Sequence, residues 1–209
     1  PLRDVYKRQP HTSTPLRNPI QMRTLVFKLI GLSTIIALLS SCGLGGAGNS
    51  NEPTNPNIQR INEGRISVEV PKEWTQTPDF NPTLTGFTTS WANSHEDPTD
   101  IVRMSSDQGQ GPNAEATMEY FEANAMFKST HGPDFKLGNS KDLDIKNATQ
   151  AKLTTWTTID KSGRTVNGAW VFVSADDDPA VAGVEFMALT LTKNDINNMV
   201  DSIQFDPTK

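Results

Sequence analysis

Three histidines and one cysteine are spread over 209 residues, so the side chains that most often carry catalysis or hold a metal can be weighed one at a time. His95 and His131 both lie among Asp, Gly and Pro, the residue types of loops, and loops carry function. Ser94-His95-Glu96-Asp97 places a hydroxyl, an imidazole and two carboxylates in a row. A serine hydrolase needs those groups to converge in space, whereas chain neighbours point apart, and no Gly-x-Ser-x-Gly elbow presents a nucleophile. His95-Glu96 also fails as a zinc motif, because Thr99 stands where the second histidine belongs. A small hydrolase using His95 or His131, completed by distant partners, is therefore the enzymatic alternative and not the leading expectation.

Asp176-Asp177-Asp178 offers hard oxygen ligands of the kind calcium takes, but consecutive carboxylates do not reproduce the alternating spacing of a calcium loop. A solvated hairpin tip is the simpler reading, and no metal or other cofactor is expected. Four tryptophans remain. Trp156 and Trp170 fall in strands that read as buried and belong to the core. Trp74 and Trp91 fall at strand ends, which makes them the better candidates of the four for ligand or partner contact, although core packing is the simpler reading for both.

Cys42 is the sole thiol, and its surroundings say what the thiol is for. Met22 to Cys42 opens with Arg23 and Lys28 and continues with an apolar run from Leu29 to Leu39. Those 11 residues are far fewer than the roughly 20 that a membrane-crossing helix needs. The run ends in Leu39-Ser40-Ser41-Cys42, which resembles the lipobox of bacterial lipoproteins. A thioether-linked lipid requires a thiol nucleophile, which a serine cannot replace. The resemblance implies cleavage before Cys42, a diacylglyceryl group on its sulfur and anchoring to the extracytoplasmic face of a cell or outer membrane. Residues 22–41 are thus expected to be a signal peptide. Residues 1–21 read as upstream or assembly-derived leader, with Met22 as the true start.

Removing residues 1–41 leaves 13 basic against 23 acidic side chains. A chain so acidic is repelled by phosphate backbones, so nucleic acid is not an expected partner, and contact with the membrane is assigned to the covalent lipid. Residues 42–59 form the lipidated cysteine and a Gly-, Asn- and Pro-rich tether that lacks the apolar surface to offset its ordering entropy. Within it, Gly43-Leu44-Gly45-Gly46-Ala47-Gly48 matches the dinucleotide-binding pattern by letter, but no strand precedes it and no helix follows. Residues 60–209 suffice for one domain. With no second thiol, that domain must rely on packing.

Arg65 to Val70 alternates polar and apolar residues, predicting a half-buried strand closed by Pro71. Shorter strands are expected over 86–91 and 100–105, and longer ones over 150–159, 166–175 and 182–191, with reversals at Asp160-Lys161-Ser162-Gly163 and Asp176-Asp177-Asp178-Pro179. Helices are expected over 114–129 and after Thr192, where Ile196, Met199, Val200 and Ile203 recur at helical spacing. The late strands are apolar on both alternating sets, so they should be covered on both faces. The economical solution is α+β: an antiparallel sheet with a helix packed on each face.

Val70-Pro71-Lys72-Glu73-Trp74, the mid-chain helix, the late three-stranded meander and the closing Met199-Val200-Asp201-Ser202-Ile203 together resemble the PsbP-like α/β/α sandwich, including bacterial lipoproteins of the LpqN and DcrB type. The resemblance covers about residues 64–205 and implies a non-enzymatic accessory or binding role, without supplying a catalytic residue. The expectation is an envelope lipoprotein that binds a protein partner or a ligand. A purely structural or surface-exposed protein is the further alternative.

Overall fold

A computed structural model of the chain describes residues 55–77, 86–128, 131–176 and 178–209, all within the unit Gly48–Lys209. Leu39, Ser40, Ser41 and Cys42, with the expected leader, signal peptide and most of the tether, lie outside the described residues. Among the described residues, ten strands and two helices follow one another as β1 (Ile58–Glu63), β2 (Ile66–Pro71), β3 (Thr75–Gln76), β4 (Thr89–Ala92), β5 (Asp100–Ser105), α1 (Ala114–Lys128), β6 (Lys136–Asp142), β7 (Gln150–Ile159), β8 (Thr165–Ala175), β9 (Asp178–Ala188), α2 (Lys193–Asp201) and β10 (Gln204–Phe205). The chain is α+β, as its periodicity predicts. β1 takes in Ile58 and Gln59, so this strand begins inside the segment expected to be tether.

Seven strands form one antiparallel sheet in the order β3-β4-β5-β9-β8-β7-β6, and β1-β2-β10 form a second, smaller sheet. The expected meander is β7-β8-β9. Its first reversal is set by Asp160, whose carboxylate accepts the backbone N–H groups of Ser162 and Arg164 at 2.8 Å each, while Gly163 adopts φ +80°. Glycine takes that left-handed conformation without steric cost. At Gly168 the requirement is space: a Cβ there would fall inside the ring of Trp156.

The large sheet separates two cores. On one face, Ala114, Met118 and Ala125 of α1 pack over Trp156, Trp170 and Phe172. On the other, Val102, Val171 and Val184 meet Ile66, Val68 and Val70 of the small sheet and Ile196, Met199 and Val200 of α2. The first predicted strand therefore does not join the main sheet, and α2 shares its face with a second sheet instead of covering it alone. A nine-residue helix, about 13 Å long, is too short to cover seven strands spaced by nearly 5 Å.

β9 also differs from expectation, starting earlier and stopping at Ala188. The next three N–H groups, of Leu189, Thr190 and Leu191, donate to Oδ1 of Asp100 at 3.1, 2.9 and 3.2 Å. Leu189 N also donates to the Thr99 carbonyl at 3.0 Å and so extends the pairing with the β5 side by one step, whereas Thr190 and Leu191 turn to the carboxylate at the start of β5 and the chain runs into α2. Thr192 caps that helix as predicted, completing a capping box in which Asp195 N donates to the Thr192 hydroxyl and Thr192 N donates to the Asp195 carboxylate.

Candidate functional site

Register places Ser90, Arg103, Glu185, Trp170, Thr154 and Ser140 side by side across six strands. Directly paired residues share a face, and Trp170 belongs to the core beneath α1, so this polar row runs under the helix. Its centre is Glu185, 2 % exposed. Trp170 Nε1 donates to Oε1 at 2.7 Å, Arg103 Nη1 to Oε2 at 2.8 Å, and His131 Nε2 lies 3.3 Å from Oε1. Burial opposes ionisation of Glu185. The His131 hydrogen bond, the Arg103 guanidinium and the Trp170 N–H outweigh it and hold the carboxyl below its ordinary range. Being ionised, Glu185 can only accept, so His131 donates through Nε2.

Aromatic rings enclose this anion. The His131 ring lies 4.9 Å from Trp156, 5.2 Å from Phe135 and 5.4 Å from Trp170 between centroids. Phe121 of α1 closes the box at 5.9 Å from Trp170 and 4.7 Å from Phe172. Further along the row the Thr154 hydroxyl donates to Glu122 of α1 at 2.7 Å. Three donors on two oxygens leave the Glu185 carboxylate engaged as a fixed countercharge. It ties β5, β8, β9 and the turn after α1 into one block.

Above that block, α1 has an outer face of unusual composition. Ala114, Thr117, Met118 and Ala125 point inward, yet Tyr120, Met126 and Phe127 are exposed by 45, 61 and 85 %. A surface helix normally turns charged residues outward. Here Glu115 and Glu119 do so in the first turns, and the second half of the helix presents large apolar side chains to water.

The residues singled out from the sequence are dispersed. His95 is exposed and its Nε2 lies 2.8 Å from the Thr75 hydroxyl, whereas His131 contacts Glu185. Trp74 takes the core reading and not the contact one: it is 3 % exposed, packed in the core beneath the small sheet. Its backbone carbonyl accepts from Gln59 Nε2 at 2.6 Å. The turn after Pro71, closed by Trp74 N donating to the Pro71 carbonyl at 3.1 Å, sets the indole in the same apolar cluster as Val68 and Val70 of β2. Trp91 is half-buried against the same core. Trp156 and Trp170 are buried. Asp178 pairs with Arg65 Nη1 at 2.7 Å and accepts from Ala180 N at 2.8 Å, both contacts internal to the protein. Among the described residues no group of three or more His, Cys, Asp or Glu is placed to hold a metal, and no helix is long and apolar enough to cross a membrane.

Glu185 and Arg103 went unnoticed at the sequence level, although a signal exists. Val184-Glu185-Phe186-Met187-Ala188-Leu189 holds one charge in a strand read as covered on both faces. A charge is almost never fully buried without a partner, so such a residue calls for one. Nothing in the spacing says that the partner is Arg103, 82 residues away.

No family model matches the sequence, and no curated protein does. Among solved structures the chain is similar to LpqN of Mycobacterium tuberculosis, described as involved in cell envelope biogenesis. Identity is 15 %, coverage 72 % of this chain and 92 % of that one, and the TM-score 0.44. It is also similar to the Saccharomyces cerevisiae Ran-binding protein Mog1p, at 13 % identity, 71 % and 95 % coverage and a TM-score of 0.39. Scores at this level assign neither role nor partner. The α+β class rests on the strands and helices of the chain itself.

Proposed function

We propose that this chain is a lipid-anchored, extracytoplasmic binding module that works by docking a protein partner and not by turnover. The observation that carries the proposal is the outer face of α1, where Tyr120, Met126 and Phe127 stand in water. Exposed aromatic side chains are the commonest anchors of protein interfaces. Glu115 and Glu119 flank them along the helix, so the complementary surface is an apolar groove with basic side chains at its rim. The lipobox-like Leu39-Ser40-Ser41-Cys42 and the tether behind it supply the envelope address. A mass spectrum of the native Cys42 peptide tests the anchor, and an unmodified thiol would refute it.

A photoreactive amino acid at position 127 should trap a discrete envelope protein in living cells, whereas the same group at Lys161, on the β7–β8 hairpin, should not. Phe127→Ala should weaken that adduct from a probe at position 126, with stability unchanged within about 0.5 kcal/mol. Identical adduct patterns at positions 127 and 161 would refute docking through α1. A second reading, a small hydrolase, draws on the 2.8 Å contact between the Thr75 hydroxyl and His95. It requires turnover by purified protein that disappears in His95→Ala.

A further inference from the structure

We propose that a groove beside the small sheet binds a phosphate-bearing anion. The groove has a volume of about 920 Å³ and is bordered by Arg60, Arg65, Lys72, Lys146 and Lys209, with Asp206 as its acidic member. The chain as a whole carries 24 acidic against 19 basic side chains, so this concavity inverts the prevailing sign.

The five cations reach it from separate parts of the chain. Arg60 lies on β1, Arg65 immediately before β2, Lys72 just after β2, Lys146 before β7 and Lys209 at the C-terminal end. They divide into two kinds. The guanidinium groups of Arg60 and Arg65 are held rigid by Glu69 and Asp178, each at 2.7 Å, and Arg60 also donates to the backbone carbonyl of Ser202 at 2.9 Å. Lys72 and Lys146 are exposed, and Lys209 has only a long contact to Asp206, 3.9 Å. The lysine beside Asn147 is positioned by backbone geometry that other residues avoid. Asn147 has φ +68°, a non-glycine residue in the left-handed region, and its side chain donates to the Phe205 carbonyl at 3.2 Å. Asparagine tolerates that region better than other non-glycine residues, and the Phe205 contact holds the turn beside Lys146 in place.

Gathering ammonium groups around one concavity costs mutual repulsion unless an anion offsets it. Glu69, Asp178 and Asp206 offset three of the five charges, and the two that remain, Lys72 and Lys146, exceed what a single ligand carboxylate would balance. A phosphate group carries more charge and more acceptor oxygens, and ammonium groups bind it as point charges. The phosphate of a lipid headgroup and a free phosphate compound share this chemistry. The proposal stands apart from the reading of α1, since no groove residue belongs to that helix.

The test is titration calorimetry of the full chain in non-ionic detergent, with sodium pyrophosphate and with monomeric dihexanoylphosphatidylglycerol as probes and sodium acetate as control. Saturable binding of either phosphate probe, with acetate inert, is the expected result. Binding of the lipid alone marks a headgroup site, and binding of pyrophosphate marks recognition of free phosphate. Lys72→Glu with Lys146→Glu should weaken binding at least about tenfold while leaving the thermal midpoint in place, and added salt should weaken the unaltered protein. Should the double variant unfold, Lys146→Ala alone must still weaken binding. Heat from acetate equal to that from phosphate, no binding of either probe, or affinity indifferent to these lysines would overturn the proposal.

Discussion

At the scale of single residues, Glu185 joins more of the molecule than any side chain the sequence singles out. Its carboxylate meets a guanidinium, an imidazole and an indole that arrive from β5, the turn after α1 and β8. Glu185→Gln keeps the shape and removes the buried charge that Arg103, His131 and Trp170 face. Loss of about 2–3 kcal/mol is expected at neutral pH, because the buried donors lose charge-assisted hydrogen bonds to an ionised acceptor. Urea midpoints at neutral pH check this value. The pH dependence follows from the direction of the shift. The folded carboxyl titrates below its ordinary value of 4.5, so its contribution is complete above that value and drains away as pH falls through the folded pKa. The gap between the unaltered protein and Glu185→Gln should therefore close with acidification, and a gap that widened would exclude an ionised Glu185. Asp100 acts in the same direction. Burial raises its pKa, but the Thr190 hydroxyl and the N–H groups of Thr190 and Leu191 outweigh that and depress it, adding to acid lability.

At the scale of elements, legibility tracked how much apolar surface each element buries. β5 and β7 begin and end where their patterns predict, and α1 starts at the predicted alanine. β1 and β6 escaped because their sequences, IQRINE and KLGNSKD, are mostly polar. Both lie at sheet edges, where lysine and other polar side chains discourage pairing with another chain and erase the alternation that marks a strand. α2 was legible through its cap as well as its period. Thr192→Ala removes one half of the capping box and should cost about 1 kcal/mol, seen as a lower urea midpoint with an unchanged slope. If the midpoint stayed in place, the box would be decorative and the packing of Ile196, Met199 and Val200 would hold the helix unaided.

At the scale of the whole molecule, two cores share the large sheet as a common wall. β8 contributes Val171 and Val173 to one and Trp170 and Phe172 to the other, so neither core can open without exposing the strands of its neighbour. Unfolding should be a single transition on both faces. Fluorine-labelled tryptophan offers a direct check: Trp74 and Trp91 report one core, Trp156 and Trp170 the other. All four resonances should lose native intensity at one urea concentration. Earlier loss at Trp156 and Trp170 would instead make α1 and its aromatic box a separately melting unit.

Local chemistry is enough to read most strands and the two helices among the described residues, since an apolar period or a capping threonine declares itself within a few neighbours. Tertiary structure decided what depends on distant partners. It set the second sheet, the inward turn of Trp74, the burial of Glu185 against Arg103 and the meeting of lysines around one groove. Period and composition carry information over one or two turns of chain, whereas charge pairing and convergence are settled only when segments far apart in sequence are brought within a few ångströms.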